Sequence, residues 1–240
     1  MIGILYHYQV YDSYASRPEK GVHAPLDRAK QYTQSNKWFL KLDVRKFFAS
    51  IDHETLKEQL AKRFKDYRLL AIFDQIIDSY EETNGRELPI GNLASQYFAN
   101  HYLTGLDHYI KENLACKVYV RYMDDMVLWH QDKTWLKNAK REIEDFIIQK
   151  LKCQLKPILL NQVERGLPFC GYLIRPNYIR LNQRSKKRYI RKLKNLHKKY
   201  ESGEWTEMEC QRKVVPLIAF TRYADSNQFR QKVLFKIQGH

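Results

Sequence analysis

The sequence predicts an α+β fold, in which helices pack on one face of an antiparallel sheet. Two runs of β-favouring residues, 118–122 and 126–129, flank the adjacent carboxylates Asp124 and Asp125 at a spacing that suits a tight hairpin. Residues 38–44 alternate in polarity as a strand does, and the segments around the hairpin carry apolar residues at helical spacing. This order of strand, helices, hairpin, helix and strands is typical of α+β domains.

The beginning of the chain is the least decisive part. The first eleven residues fit either a strand or a short helix, and the sequence does not choose between them. Residues 12–23 are predicted to form a loop, because Pro18 and Gly21 interrupt regular structure. The strand at 38–44 follows this loop.

Apolar stripes predict the helices that come next. Their predicted positions are a helix starting at residues 50–54, one at 69–80, one opening from the loop 88–96, and one at 135–151. Strands are predicted at 169–174 and 178–181, and after Leu181 the chain becomes helical and strongly basic. We therefore predict one domain at 1–181 and a basic helical domain at 182–240.

The composition narrows the class of protein. Of 240 residues, 44% are hydrophobic and 29% are charged, which is an ordinary globular balance. The formal net charge of +15 favours a polyanionic partner, most simply nucleic acid, over a basic protein of the membrane surface. No apolar run is long enough to span a membrane, and the start does not resemble a signal peptide. The four scattered cysteines favour reduced thiols in a cytoplasmic protein over a structural zinc site.

The charge is concentrated near the carboxyl terminus. From Arg165 to Tyr200 the chain has no Asp or Glu, whereas Lys and Arg recur throughout. A solvated helical face is the simpler interpretation, but so one-sided a stretch favours contact with nucleic-acid phosphates. The candidate phosphate-binding residues are Arg184, Lys186, Lys187, Arg188, Arg191 and Lys192.

Three carboxylates are candidates for chemistry. Asp124 and Asp125 repel each other at the hairpin unless a cation offsets the charge, although a solvated Asp-Asp turn is the common alternative. Asp43 closes an apolar strand and is followed almost at once by Phe47 and Phe48. If that strand lies beside the hairpin, the three acids converge at one sheet edge and suit Mg²⁺, which prefers carboxylate oxygens together with substrate phosphates.

Four segments resemble motifs A, B, C and E of reverse transcriptases, in that order: Phe39–Phe48 (FLKLDVRKFF), Leu88–Gln96 (LPIGNLASQ), Tyr122–Asp125 (YMDD) and Phe169–Leu173 (FCGYL). The Ile-Gly-x-x-x-Ser-Gln of the second segment is similar to that of enzymes from diversity-generating retroelements. Residues 17–23 (RPEKGVH) resemble the second fingers motif of those enzymes and of group II intron relatives. The resemblance implies an RNA-directed DNA polymerase of a bacterial or phage retroelement.

In that scheme, residues 1–181 are fingers and a right-hand polymerase palm, and residues 182–240 are a thumb. The resemblance assigns catalysis to Asp43, Asp124 and Asp125, as ligands of two Mg²⁺ ions that Mn²⁺ can replace. It assigns nucleotide contacts to Arg17, Lys20, Val44, Phe48, Ile90, Gly91, Gln96 and Lys156. It assigns the primer grip to Phe169, Cys170, Gly171 and Tyr172.

The resemblance also gives individual roles. The ring of Phe48 would block a ribose 2′-hydroxyl, and Lys156 would donate to the leaving pyrophosphate. A core phenylalanine and a solvated lysine are the respective alternatives. The implied partners are an RNA template, an RNA or DNA primer, deoxynucleoside triphosphates and a small basic accessory protein.

One departure from the family pattern is evident. Family members have a longer fingers region before the second motif, whereas this chain begins almost at that motif, so we expect a truncated gene, a split protein or a fragment. Two alternative functions stay open. One is a non-catalytic RNA-binding remnant, and the other is a group II intron-type reverse transcriptase.

Overall fold

The computed structural model divides the chain into two compact units, Met1–Gln162 (unit 1) and Val163–His240 (unit 2). It describes residues 2–18, 20–21, 23–79, 85–89 and 91–237. The sequence places the palm–thumb boundary at 181/182, whereas the second compact unit begins nearer the amino terminus and includes a small sheet.

The helices of unit 1 are α1 (Ile2–Tyr8), α2 (Ala24–Ser35), α3 (Phe47–Ser50), α4 (His53–Ala61), α5 (Tyr67–Asp78), α6 (Leu93–His108) and α7 (Lys133–Leu151). The undecided start of the chain is therefore helical. Side-chain caps begin several of these helices, since Asp52, Asp66, Asn92 and Asp132 each accept a hydrogen bond from a backbone N–H of the first turn. A π-helical turn, Tyr109–Asn113, follows α6.

The sheet of unit 1 is antiparallel, with strand order β2-β3-β1-β4. Its strands are β1 (Trp38–Asp43), β2 (Tyr119–Tyr122), β3 (Asp125–His130) and β4 (Leu159–Gln162). The predicted hairpin is confirmed as β2–β3, and the predicted strand at 38–44 is confirmed as β1. The sequence analysis did not predict β4, which pairs with the other side of β1.

Helices cover both faces of this sheet. One face carries Leu40, Leu42 and Leu128, which are buried in a core shared with α6 and α7. The opposite face carries Trp129, whose Nε1 donates to the hydroxyl of Thr33 on α2 at 3.2 Å. The α+β class is confirmed, and the helix that the sequence analysis did not predict, α2, adds a layer beyond the expected single helical face.

Unit 2 combines a three-stranded sheet with three helices among its described residues. They are β5 (Leu167–Phe169), β6 (Tyr172–Ile174), β7 (Ile179–Leu181), α8 (Gln183–Glu201), α9 (Glu207–Arg222) and α10 (Asn227–Ile237). The single strand predicted at 169–174 is wrong, because Cys170 and Gly171 both have positive φ, 47° and 88°, and turn the chain back between β5 and β6.

Side chains of α8 and α10 form a small apolar core in unit 2. Tyr189, Leu193 and Leu196 are buried against Val233, whereas Tyr200, near the end of the same helix, is exposed. Over the described residues of both units, none of the helices has the length and apolar character needed to span a membrane.

Candidate active site

The β2–β3 hairpin turns through only two residues, Met123 and Asp124. Tyr122 pairs with Asp125 across the strands, so Asp124 lies in the turn and Asp125 begins β3. Met123 has φ 52°, in the left-handed region that non-glycine residues rarely adopt. A two-residue hairpin of this kind normally has glycine at that position, so the turn that carries Asp124 is strained.

Strand pairing brings Asp43 to this turn. Asp43, the last residue of β1, is the register partner of Asp125 on β3. The Asp43 and Asp124 side chains lie within hydrogen-bonding reach of each other. Strand pairing therefore places Asp43, Asp124 and Asp125 at one edge of the sheet, where all three side chains are partly exposed and Asp124 lies beside Asp43.

The environment of Asp124 favours its protonated form. Burial, followed by the negative charge of Asp43, raises the pKa of Asp124 to about 6. Binding of either a proton or a cation stabilises a carboxyl group in this setting, because both reduce the electrostatic repulsion between the two acids.

Two lysines form ion pairs with two of the acids. The Lys156 ammonium lies 2.6 Å from Asp43 Oδ1, and its backbone N–H donates to the Asp43 carbonyl at 2.8 Å. The side-chain hydrogen bond from the Lys156 ammonium to the Asp43 carboxylate raises the pKa of Lys156. The Lys41 ammonium lies 2.8 Å from Asp125 Oδ1. The pair Asp43–Asp124 is thus separate in its contacts from Asp125, which is held by a lysine two residues before Asp43.

The oxygen donors suit Mg²⁺ or Mn²⁺, which prefer carboxylates to sulfur or imidazole ligands. Over the described ranges, no group of three or more His, Cys, Asp and Glu side chains is arranged to hold a metal ion. Two close carboxylates still fit Mg²⁺, because this ion is commonly held by one or two carboxylates together with substrate phosphates. The donor set therefore fits a cation shared between protein and substrate.

A buried polar network lies directly behind the turn. Arg121 and Asp107 are both 0% exposed, and two guanidinium nitrogens donate to the two Asp107 oxygens at 2.7 and 2.6 Å. Arg121 Nη1 also donates to the Met123 carbonyl at 3.1 Å and to Asn100 Oδ1 at 3.1 Å. The Tyr119 hydroxyl donates to Asp107 at 2.7 Å. The network therefore joins α6 to the hairpin.

The loop before α2 holds the two basic residues predicted to contact nucleotide. Arg17 Nη1 donates to the Val10 and Ser13 carbonyls at 2.5 and 3.0 Å, and the Lys20 ammonium donates to the Tyr11 carbonyl. Burial, followed by the charge of Arg17, lowers the pKa of Lys20 to about 8. Both cations thus bond to the backbone of their own loop.

A cleft of about 280 Å³ opens between this loop, α6 and β2. Arg17, Tyr97 and Tyr122 are among the residues that line it. On the cleft's loop side, the Ser16 hydroxyl donates to Gln96 Oε1 at 3.1 Å. The structure therefore brings Arg17 and Gln96 to the same region, next to the strand that leads into the Asp124 turn.

The remaining predicted nucleotide contacts are dispersed around β1 and α6. Val44 is fully buried in the core, so its side chain is not accessible to a nucleotide. Phe48 is partly buried against the same core, and its carbonyl accepts from the Leu88 N–H at 3.0 Å. Gly91 is exposed with φ 99°, a conformation that glycine adopts without strain. Ile90 lies outside the described residues.

A sequence profile of the family described as reverse transcriptase (RNA-dependent DNA polymerase) matches residues 5–172. This match covers well over half of the chain and all of the elements that form the acidic site. The chain belongs to the reverse transcriptase family.

Curated relatives of this reverse transcriptase are intron-encoded. It is 31% identical over 121 residues to the protein assigned to COX1/OXI3 intron 2 of Saccharomyces cerevisiae, covering 46% of this chain and 14% of that protein. It is 27% identical over 105 residues to the group II intron-encoded protein LtrA of Lactococcus lactis subsp. cremoris, covering 41% of this chain and 17% of LtrA. The matched region is a small part of each relative.

Solved structures agree on the fold. Apo telomerase from Candida tropicalis superposes with a TM-score of 0.56 at 15% identity, covering 75% of this chain and 39% of that one. Telomerase from Candida albicans, in complex with a fragment of telomeric RNA, gives a TM-score of 0.56 at 14% identity, covering 80% and 40%. The TM-scores show that the reverse transcriptase palm fold is shared. Sequence identities this low support no conclusion about function.

In unit 2, the predicted primer-grip residues are of two kinds. Phe169 and Tyr172 are buried, and the Tyr172 hydroxyl donates to the Phe220 carbonyl at 2.7 Å. Cys170 and Gly171 form the partly exposed turn between them. A side chain at Gly171 would lie 2.9 Å from the Ser185 hydroxyl, so the turn is closely packed on the start of α8.

The predicted phosphate-binding residues lie on α8, mostly exposed. Arg184, Lys187 and Arg191 are exposed on the side opposite its buried stripe. Arg188 is exposed at the flank of the helix, with its guanidinium 5.7 Å from the centre of the Phe220 ring. Lys192 is exposed closer to that stripe, and Lys186 is partly buried, with its ammonium 5.6 Å from the centre of the Phe229 ring.

The sequence analysis missed Arg121, Asp107 and Lys41. A signal was present for Arg121, which interrupts the β-favouring run 118–122, whereas Asp107 stands between Leu106 and His108 and interrupts no apolar run. A charge at a position that the pattern predicts to be buried requires a partner of opposite charge. Lys41 gave no such signal, because it lies on the polar face of the predicted strand.

Proposed function

We propose that this chain is the catalytic part of an RNA-directed DNA polymerase, which extends an RNA or DNA primer along an RNA template with deoxynucleoside triphosphates. The observation that carries the proposal is the convergence of Asp43 and Asp124, from separate strands, beside Lys156. Burial and the neighbouring charge of Asp43 raise the pKa of Asp124, so the ionised pair is costly for stability, and a polymerase active site gives the two acids a use.

Asp43 and Asp124 are the proposed ligands of divalent cations, Mg²⁺ in the first place and Mn²⁺ as a substitute. When bound, such cations activate the attacking hydroxyl and stabilise the charge on the leaving pyrophosphate. Asp125 has a supporting role in this proposal, because its carboxylate is paired with Lys41. The positive charge of Lys156 would stabilise the negative charge that develops on the leaving group. Before substrate binds, the Lys156 ammonium is paired with Asp43.

The cleft beside Tyr122 is the proposed place of the incoming nucleotide. Its lining combines aromatic rings with the guanidinium of Arg17, which suits a base and a phosphate together. The partly buried ring of Phe48 is the proposed barrier to a ribose 2′-hydroxyl. In unit 2, the exposed cations of α8 are the proposed contacts to the phosphates of the primer–template duplex.

The retroelement subclass has two candidates. The Ile-Gly-x-x-x-Ser-Gln segment at 90–96 supports a diversity-generating retroelement, with a small basic accessory protein as partner. The intron-encoded relatives support a group II intron-type enzyme instead. Genomic DNA next to the gene distinguishes them, because a template repeat paired with a variable repeat belongs to the first and intron RNA sequence to the second.

Primer extension tests the proposed activity. The parental chain is incubated with an RNA template, a DNA primer, deoxynucleotides and Mg²⁺, and Asp124→Asn is compared with Asp145→Asn, an exposed acid on α7. We expect extension by the parent and by Asp145→Asn, and a loss of at least about 10³-fold in Asp124→Asn, because a carboxamide is a poor cation ligand.

Two results would overturn the assignment. Extension by Asp124→Asn at the parental rate would remove Asp124 from the chemistry. RNA binding by the parent without any extension, in Mg²⁺ or Mn²⁺, would favour a non-catalytic RNA-binding protein.

A further inference from the structure

Arg121 is an unusual residue to find inside unit 1. Its side chain is 0% exposed, on a strand whose neighbours Tyr119 and Val120 are also fully buried. Taking a guanidinium and a carboxylate out of water carries a large free-energy cost for each ion, and their mutual attraction offsets this cost only in good geometry. Well-packed apolar residues would often serve stability as well or better. The pair with Asp107 therefore calls for a role besides holding the fold.

The geometry of the pair is that of a rigid fork. Nε and Nη2 of Arg121 donate to the two oxygens of Asp107 at 2.7 and 2.6 Å, which fixes the plane of the guanidinium. Nη2 also donates to the Asn100 carbonyl at 3.3 Å. The position of the remaining nitrogen, Nη1, is thereby fixed.

Arg121 Nη1 donates a hydrogen bond to the carbonyl oxygen of Met123 at 3.1 Å. This oxygen belongs to the same planar peptide group as the backbone nitrogen of Asp124. Holding the oxygen therefore fixes the peptide from which the Asp124 side chain projects. Because Met123 is strained at φ 52°, the turn has a tendency to relax that a fixed donor opposes.

Asn100 extends the same network to the loop before α2. Its Oδ1 accepts from Arg121 Nη1 at 3.1 Å, and its Nδ2 donates to the Ala15 carbonyl at 3.0 Å. The loop segment is also paired with β2, because Ser13 bridges to Arg121. The buried Arg121 side chain thus contacts the turn, and the buried Asn100 side chain links Arg121 to the loop that borders the cleft.

We infer that Arg121 is a positioning residue for Asp124, and that it acts by holding the Met123–Asp124 peptide in the strained conformation that directs the Asp124 carboxylate at Asp43. This inference rests on the proposed role of Asp124 as a cation ligand. It predicts that loosening Arg121 weakens cation binding and slows the chemical step, and leaves the affinity for deoxynucleotide and duplex unchanged.

The test compares Arg121→Lys with Tyr119→Phe. Lysine keeps a positive charge beside Asp107 but cannot serve Asp107 and the Met123 carbonyl with a planar fork. Tyr119→Phe removes a hydrogen bond to the same Asp107 without touching the Met123 carbonyl. It is therefore a matched control for damage to the network. Three quantities are measured: Mn²⁺ affinity of the substrate-free protein by calorimetry, kcat and KM for deoxynucleotide, and urea unfolding.

We expect Arg121→Lys to bind Mn²⁺ several-fold more weakly and to lose about 10–100-fold in kcat, since small displacements of a reacting group carry effects of this order. KM should stay within about twofold, and Tyr119→Phe should keep both the Mn²⁺ affinity and kcat. Equal behaviour of the two variants in Mn²⁺ affinity and kcat would overturn the inference.

A second variant covers the case in which Arg121→Lys folds poorly. Met123→Gly is added to it, because glycine adopts the positive φ of the turn without strain and should recover stability. If Mn²⁺ affinity and kcat return together with stability, Arg121 acts through the strained turn, as inferred. If stability returns alone, the loss does not arise at the Met123–Asp124 peptide and the inference fails. Should the parent extend no primer at all, the proposed function fails, while the Mn²⁺ affinities still decide the role of Arg121.

Discussion

Arg121 in unit 1 and Arg191 in unit 2 are the same side chain in opposite surroundings. The guanidinium of Arg121 is 0% exposed and is matched by a buried carboxylate and by carbonyl groups. Arg191 is exposed on α8, within a stretch of sequence that has no acid from residue 165 to residue 200. The guanidinium of Arg121 is held in one orientation by its hydrogen bonds, whereas the exposed guanidinium of Arg191 acts by electrostatic attraction.

The difference separates positioning from attraction. A buried, fully bonded charge is insensitive to salt and determines where its neighbours lie. Exposed charges are screened within about 8 Å at physiological salt, and they contribute to affinity for a polyanion in proportion to their number. We therefore propose that the acids of unit 1 carry the chemistry and that α8 of unit 2 supplies much of the nucleic-acid affinity.

The largest effect is expected from removing exposed charge on α8. A fourfold glutamine variant at Arg184, Lys187, Arg188 and Arg191 should weaken duplex binding by about 10²–10³-fold at low salt. The slope of log affinity against log salt should fall by about three, because each lost phosphate contact lowers it by about 0.7–0.9. Fluorescence anisotropy across a salt series measures both quantities.

The control removes equal charge elsewhere in unit 2. Glutamine is introduced at the exposed positions Arg212, Lys213, Arg222 and Lys232 of α9 and α10. We expect a smaller loss of affinity and a nearly parental slope. Identical losses in the two variants would mean that net charge alone matters, and the contrast between a directed face and general charge would be lost.

A smaller effect is expected from removing a half-buried charge in unit 1. Because the folded pKa of Asp124, about 6, lies above its ordinary value of 3.8, protonation stabilises the fold below about pH 4. This contribution is lost as the pH rises through about 6. At pH 7.5, the cation-free Asp124→Asn variant should therefore be more stable than the parent by roughly 1–2 kcal/mol, after allowance for partial exposure.

Urea unfolding in the presence of a chelator measures this difference at pH 4 and pH 7.5. The two proteins should be nearly equally stable at pH 4, and Mg²⁺ at pH 7.5 should stabilise the parent more than the variant. Equal stability of parent and variant at pH 7.5 would show that Asp43 and Asp124 do not repel each other, against the account of the site given above.

The elements were predictable where the sequence pattern was local. The hairpin around Asp124, the strand ending at Asp43 and the helix predicted at 135–151 follow from alternation or helical periodicity. The structure confirms them, with the helix beginning at Lys133. The helix α2 was missed because its apolar residues are few, and it is buried by contact with Trp129, which is far away in sequence. The break at Cys170 and Gly171 was missed because the segment reads as one apolar run.

The site was predictable in its residue types and less so in its contacts. Sequence motifs pointed to Asp43 and Asp124 as neighbours, and the pairing of β1 with β3 places them together. The pairing of Lys41 with Asp125 and the contact of Arg121 with the Met123 carbonyl depend on register and rotamer. These are tertiary properties, and a single sequence does not encode them in any local pattern.

Single-turnover primer extension, with enzyme in excess over duplex, tests most directly the assignment of chemistry to unit 1 and affinity to unit 2. For Asp124→Asn, the rate at saturating enzyme should fall by at least about 10³-fold, with duplex Kd within about twofold of the parent. For the α8 fourfold variant, the saturating rate should stay within about threefold while Kd rises by about 10²-fold or more. A variant of α8 that loses its saturating rate as severely as Asp124→Asn, or an Asp124→Asn protein that keeps the parental rate, would contradict the account.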